Sequence, residues 1–388
     1  MRVLLVHNRY QQPGGEDTAF THERRLLERF GHEVVTYERS NSEIASGALG
    51  RRISLGAQTF WSWEAARAVR RLLATTKPEF AFFVNTFPLI SPSVYRACRD
   101  AGTLVLQSIH NYRHVCPGAL LHRSGSACED CVGKVPWRGV VRGCYRNSRV
   151  QTALVAGVFD LHRRLGTFRS MVDGYLALTG FARDQLVRGG LPPDRIFVRP
   201  NYVDPDPGPG MGRDGHGLYV GRLTEEKGVE HLLAAWRDLP EVRLTIIGDG
   251  PLASAVRNEA QRNDRIRYLG LLSRERVLDE MARARFLVFP STWYEGMPLT
   301  IIEALARGLP IVATALGSLP ETLGDAGVLV PPGDPQALAA SIRSLAHNLT
   351  QQETLRTAAR HRYLRYFTGN RAYERLLDIL NLARGARK

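Results

Sequence analysis

The pattern that most limits how this chain can fold is an alternation of short apolar runs with longer helical stretches, sustained from the first residues almost to the last. Such alternation is the signature of βαβ units and parallel sheets. In the first half, strands are expected at residues 2–7, 33–38, 80–85, 103–109 and 174–178, with helical patterns between them such as 16–30 and 62–73. The runs are nearly continuous in apolar residues, as strands covered on both faces require. A second series is expected at 218–221, 243–247, 266–269, 286–289, 310–313 and 327–330, and an amphipathic stretch at about 336–384 closes the chain.

Between the two series lies Asn201-Tyr-Val-Asp-Pro-Asp-Pro-Gly-Pro-Gly-Met-Gly, too dense in Pro and Gly for a regular element. It divides a first domain at 1–200, carrying a Cys-rich insert at 112–147, from a second at 201–365. Residues 366–388 are expected to form a helix that packs back on the first domain. A length of 388 residues suits two cores better than one. The expected fold class is therefore α/β: two Rossmann-like domains facing across a cleft, with ligands at the carboxyl ends of the strands.

The net charge of +14 raises the question of an anionic partner. Only Lys77, Lys134, Lys227 and Lys388 are lysines; the other cations are arginines, scattered along helical patterns without a basic arm. No nucleic-acid partner is expected, whereas a loose peripheral contact with an anionic membrane stays open. No apolar run reaches 18 residues, and the start at Met1 lacks the apolar core of a secretory signal. A cytoplasmic protein is expected, with a peripheral place at the inner membrane face left open.

The most informative run is Ser291-Thr-Trp-Tyr-Glu295-Gly-Met-Pro-Leu-Thr300-Ile-Ile-Glu303. A strand ends before it, and Pro298 suits the first turn of the helix that follows. Backbone N–H groups of Met297, Leu299 and Thr300 are then left without intrahelical partners, which favours a phosphate there. Glu295 sits ahead of that helix start and Glu303 beyond it, so carboxylates flank the phosphate position. Gly221-Arg222-Leu-Thr-Glu-Glu-Lys227-Gly228 follows the first strand of the second half and supplies two cations for a diphosphate. Ile246-Ile-Gly248-Asp249-Gly250-Pro251 ends the next strand in a turn that permits close backbone approach or is simply a strand-to-helix connection.

Taken together, Gly-Arg-Leu-x3-Lys-Gly, Gly-Asp-Gly-Pro and Glu-x7-Glu resemble, in order and separation across about residues 215–335, the second domain of the retaining GT-B glycosyltransferases of family four (glycosyl transferases group 1). The resemblance implies transfer of a sugar with retention from a UDP-, GDP- or TDP-sugar to a hydroxyl acceptor, at a donor site needing no catalytic cofactor or metal. It places Arg222 and Lys227 on the diphosphate, Glu303 on the ribose and Glu295 on the sugar. Gly296, Met297, Leu299 and Thr300 then line the phosphate or sugar, with Gly248 and Asp249 also in the substrate site. Many members carry Phe-Gly where this chain has Met297-Pro298, which removes one backbone donor. In the first half, Pro13-Gly14-Gly15 resembles the loop that closes over the sugar and diphosphate, and His110 is placed beside the donor sugar as a hydrogen-bonding catalytic residue.

Cys116, Cys128, Cys131 and Cys144 have the spacing C-x11-C-x2-C-x12-C in an insert directly after His110; Cys98 stands apart. In a reducing compartment four clustered thiols suit a structural zinc ion, with free thiols, a disulfide or an iron–sulfur cluster as alternatives. The insert is expected to shape the acceptor pocket. Two other readings of the whole chain stay open: a sugar-nucleotide epimerase of the same fold, and a non-catalytic protein that binds anionic polymers.

Overall fold

A computed structural model describes residues 1–11, 14–45, 56–212 and 214–387. Pro13, which opens the glycine-rich loop, and Lys388 lie outside the described residues. The chain separates into two compact units. One comprises residues 1–120, 129–199 and 373–388, the other 121–128 and 200–372.

In the first unit the strands are β1 (Arg2–Arg9), β2 (Glu33–Ser40), β3 (Phe80–Asn85) and β4 (Leu104–Ile109), followed after a small hairpin, β5 (His122–Arg123) and β6 (Ser126–Ala127), by β7 (Gly174–Ala177) and β8 (Ile196–Val198). The hairpin goes with the second unit. The sheet is parallel throughout, in the order β2-β1-β3-β4-β7-β8. All six residues of β3 and all six of β4 are buried, which is why their sequences alternate so little. The final helix, Gly369–Gly385, places Leu376, Ile379 and Leu380 in the same core as Leu5, Phe80 and Leu106. The second unit extends to Ala372, seven residues past the expected limit of 365.

The second sheet contains β9 (Gly217–Val220), β10 (Leu244–Ile247), β11 (Ile266–Tyr268), β12 (Phe286–Phe289), β13 (Ile311–Thr314) and β14 (Gly327–Val330). Its order is β11-β10-β9-β12-β13-β14, again all parallel. Chain order reverses between β9 and β12, so the loops leaving these neighbours run to opposite sides. That divergence is where doubly wound sheets open a crevice for ligands. The same reversal lies between β1 and β3 in the first sheet.

Most expected strands match within a residue or two. The short β8, confined between Pro193 and Pro200, was not anticipated. The closing amphipathic stretch is three helices, Pro335–His347, Leu349–Tyr366 and Gly369–Gly385. Among the described residues no helix is long and apolar enough to cross a membrane.

Candidate functional site

At the switch point of the second sheet, the turn Glu225–Lys227 follows β9 and is closed by Gly228, whose φ is +71°. A Cβ there would stand 1.9 Å from the carbonyl oxygen of Pro290, so only glycine lets this turn lie against the end of β12. One more bond fixes the approach: Thr292 N–H donates to the Glu226 carbonyl at 2.9 Å.

This contact brings Lys227 to Glu295, 68 residues later, with Nζ 2.7 Å from Oε1. The side chains are 15% and 5% exposed, so the pair is largely withdrawn from water. Ser291 Oγ and Trp293 Nε1 donate to the same carboxylate oxygen, each at 2.8 Å. The ammonium also lies 5.1 Å from the Trp293 ring centre. Ser318 Oγ donates to the Glu295 carbonyl at 2.7 Å, tying the loop from beneath. Arg222 differs: it is 63% exposed and reaches Glu226 at 3.1 Å. Such an exposed pair is worth about 0–1 kcal/mol and exchanges easily for another anion.

The helix Leu299–Ala306 begins directly after this loop, with Pro298 as its N-cap and no side chain capping it. Pro298 thus precedes the first turn instead of occupying it: its extended backbone, with ψ of 129°, keeps it outside. The first helical donors to a backbone acceptor are Ile301 and Ile302, to the Pro298 carbonyl. Leu299 and Thr300 precede them, where helix geometry aims N–H groups outward. Met297 is buried, and its carbonyl accepts from Asn201 Nδ2 at 2.8 Å.

Further along, Glu303 is buried and accepts from Arg274 Nε at 2.8 Å. Burial raises its pKa above the usual glutamate value, and the Arg274 bond opposes that shift. Gly248 serves the scaffold first. With φ of +142°, a Cβ on it would come 1.9 Å from the Gly221 carbonyl oxygen, so the β9 and β10 turns pack backbone against backbone. Asp249 binds its neighbour's Gly250 N–H at 2.8 Å, and its carbonyl accepts from Leu223.

In the first unit, Gly14 caps the helix Gly15–Arg29, and its N–H donates to Asp17 Oδ2 at 2.8 Å. The other Asp17 oxygen lies 3.0 Å from His7 Nε2 and accepts from Tyr10 N–H at 3.3 Å. Asp17 therefore fixes the glycine-rich turn to the end of β1. His110 follows β4 and has Nε2 2.8 Å from Ser108 Oγ. Its pKa is lowered to about 3, chiefly by burial and further by Arg199 and His7, so it is neutral at physiological pH. Arg199 is itself locked by two bonds to Glu23, 2.6 and 3.0 Å. A cavity at the carboxyl ends of β3 and β4 is lined by Glu16, Asn85, Tyr95, Gln107, His110 and Arg113, among others.

The insert's cysteines divide between the units. Cys128 goes with the segment 121–128, and Cys116, Cys131 and Cys144 with the first unit. A Cβ at Gly118 would lie 3.8 Å from Cys116 Sγ and 3.7 Å from Cys144 Cβ, so these two flank one glycine. Among the described residues no cysteine is in a disulfide, and no three His, Cys, Asp or Glu side chains stand as a metal site.

Sequence reasoning missed Asp17, Arg274, Ser291 and Trp293 as positioning residues. Asp17, three residues after the capping glycine, fits a capping-box pattern and was open to discovery. Arg274 acts on Glu303 from another helix, whereas Ser291 and Trp293 act within the loop that carries Glu295.

With this geometry in place, comparison with known proteins is decisive for the second half. Residues 215–348 match the family model described as glycosyl transferases group 1. This part of the chain belongs to that family. The chain is 31% identical over 190 residues to O-antigen chain mannosyltransferase B of Escherichia coli, covering 43% of this chain and 50% of that protein. It is 36% identical over 154 residues to a glycogen synthase of Mycobacterium tuberculosis, covering 37% of each. The chain thus spans half or less of the length of these two curated relatives. Over the whole fold it resembles Anabaena Alr3699/HepE, solved in complex with UDP and glucose, at TM-score 0.67 and 18% identity, covering 98% and 99% of the two chains. Sucrose-phosphate synthase from Thermosynechococcus elongatus gives TM-score 0.70 at 17% identity, with 99% of each covered. The fold is that of the GT-B glycosyltransferases.

Removing one member of a buried ion pair strands the other, at about 3–5 kcal/mol. Lys227→Met is therefore expected to lower stability toward the smaller end of that range, because Ser291 and Trp293 still serve Glu295. Adding Glu295→Gln should restore most of it. Urea unfolding of both variants checks this; equal loss in the single and double variants would contradict the pairing.

Proposed function

We propose that this chain is a retaining glycosyltransferase that moves a sugar from a nucleoside diphosphate sugar to a hydroxyl acceptor, with a donor site that works without a metal ion. The observation that carries the reading is the meeting of Arg222, Lys227 and an uncapped helix N-terminus at the switch point of the group 1 domain. These are the donors that a departing diphosphate requires, preorganised in a site partly withdrawn from water. In the ligand-free state Lys227 is neutralised by Glu295; a diphosphate would compete for the ammonium while Ser291 and Trp293 retain the carboxylate. Glu295, so released, would accept from a sugar hydroxyl, and Glu303 from the ribose. HepE has been solved with UDP and glucose, which supports a nucleotide-sugar donor for this chain.

Neutral His110 would hydrogen-bond to a hydroxyl of the transferred sugar and is not positioned by charge to act as a base. The diphosphate's own oxygen would take the acceptor proton as the acceptor attacks from the face the diphosphate leaves. An epimerase reading differs in needing no acceptor, so donor conversion in the absence of acceptor would favour it.

The first test screens UDP-, GDP- and TDP-sugars for a rise in melting temperature, then measures transfer with the best donor. Lys227→Met should lower turnover by about 2–4 kcal/mol of activation energy, on the scale of one lost anion-stabilising donor. The Lys227→Met/Glu295→Gln variant, although stable, should be equally slow. Transfer near the normal rate in that double variant would overturn the phosphate role.

Glu303 gives a pH signature. Because burial raises its pKa, its carboxylate is lost on acidification at a higher pH than an ordinary glutamate near 4.5. Affinity for the nucleoside diphosphate should therefore begin to fall above that value as pH drops. Calorimetric titration of Glu303→Gln should show weaker binding with this acid limb absent; an unchanged limb would refute the assignment.

For the insert we propose that the thiols of Cys116, Cys128, Cys131 and Cys144 take a structural zinc ion, a reading carried by their spacing. Among the described residues no three His, Cys, Asp or Glu side chains are arranged as a metal site, so the spacing alone supports the reading. Elemental analysis of purified protein should find near-stoichiometric zinc that is lost on thiol alkylation. Metal-free protein of normal stability would remove the proposal.

A further inference from the structure

The insert carries a surface that the proposed reaction does not use. Between residues 134 and 149 there are five cations, Lys134, Arg138, Arg142, Arg146 and Arg149, and no carboxylate; Asp130, just ahead of them, pairs with Arg138 and Arg142 and leaves a net positive surface. Set among them are three large apolar side chains exposed to water: Val135 at 54%, Trp137 at 58% and Val141 at 55%. Trp137 and Val141 are one turn apart on the helix Trp137–Arg142, so they share a face.

That face cannot roll inward. Gly139 lies on the opposite side of the helix and is buried; a Cβ on it would stand 3.3 Å from Pro117 and 3.4 Å from Cys131 Sγ. The helix is thus seated on its glycine, and Trp137 and Val141 are turned outward by construction. Arg138 lies 5.6 Å from the Trp137 ring centre and 3.6 Å from Asp130. Arg149 Nε donates to the Val141 carbonyl at 2.9 Å, which holds a cation at the far end of the same face.

An indole and two valines ringed by arginines match the headgroup boundary of an anionic bilayer. The indole sits at headgroup depth, the valines reach the upper acyl chains, and the guanidinium groups meet lipid phosphates. A second copy of the chain would present the same positive field to this face across a two-fold axis. A nucleic acid would use the cations and leave the exposed apolar side chains without a role. We propose that Val135, Trp137 and Val141, with the surrounding arginines, dock this protein on an anionic lipid surface. The inference does not depend on the donor reading.

The test sediments the full chain with vesicles of phosphatidylcholine alone or mixed with phosphatidylglycerol. Binding is expected to the mixed vesicles, to weaken with added salt, and to shift tryptophan emission to the blue. Trp137→Asp/Val141→Asp should reduce the bound fraction by about tenfold or more, and Trp137→Phe should remove most of the emission shift while keeping the binding. Arg146→Gln/Arg149→Gln should weaken binding only where phosphatidylglycerol is present. Melting temperatures of all variants separate lost docking from lost folding, and Trp137→Ser serves if the double aspartate variant unfolds. The proposal is overturned by absence of vesicle binding, by full binding in the aspartate variant, or by binding to poly(U) and vesicles that the apolar substitutions leave equally unchanged. Self-association abolished by Trp137→Asp without any vesicle binding would assign the face to a second copy and likewise overturn it.

Discussion

The contact between Lys227 and Glu295 is the point on which the candidate site turns. It joins the loop after β9 to the loop after β12, and these strands are neighbours only because the sheet changes direction between them. The pair forms because Gly228 lets one backbone rest against another at a spacing no side chain allows. A buried ammonium and carboxylate would each be costly alone; together, with two further donors on the carboxylate, they stand without a ligand. The same pairing holds a cation against the loop that leads into the helix at Leu299.

The charged groups of the second unit form a graded set. Arg222 is exposed, and its bond to Glu226 is weak enough to be redirected without disturbing the fold. Lys227 is half of a buried pair whose carboxylate keeps other partners when the lysine is drawn away. Glu303 is held by Arg274 from a different helix, so its orientation is fixed without a ligand. In the proposed reaction this gradation separates functions: the mobile cation meets the incoming anion, and the fixed groups set its register. Preorganisation of this kind is what makes charge stabilisation effective in a partly dry site.

The two parallel sheets were legible in the sequence because both faces of their strands are covered and the apolar runs are correspondingly dense. Strand β8 escaped notice because three residues between prolines carry no period. Arg222, Lys227, Glu295 and Glu303 could be singled out because each lies in a short segment whose order along the chain is distinctive. Their partners were not legible in the same way. Arg274 lies 29 residues from Glu303, and nothing local in Ser273-Arg274-Glu275 points to it. The Lys227–Glu295 bond, similarly, is created by a β9–β12 adjacency that only the folded sheet reveals. The four cysteines show the opposite limit: a spacing that suggests a set of ligands without saying which chemistry the thiols carry.

The most direct test is a structure of the chain with the nucleoside diphosphate that most raises its melting temperature. The account predicts a phosphate oxygen within hydrogen-bonding distance of Lys227 Nζ, Arg222 swung from Glu226 toward the same group, and backbone N–H groups at Leu299 and Thr300 facing it. A diphosphate bound elsewhere, with Lys227 still held by Glu295 alone and Arg222 still on Glu226, would contradict it.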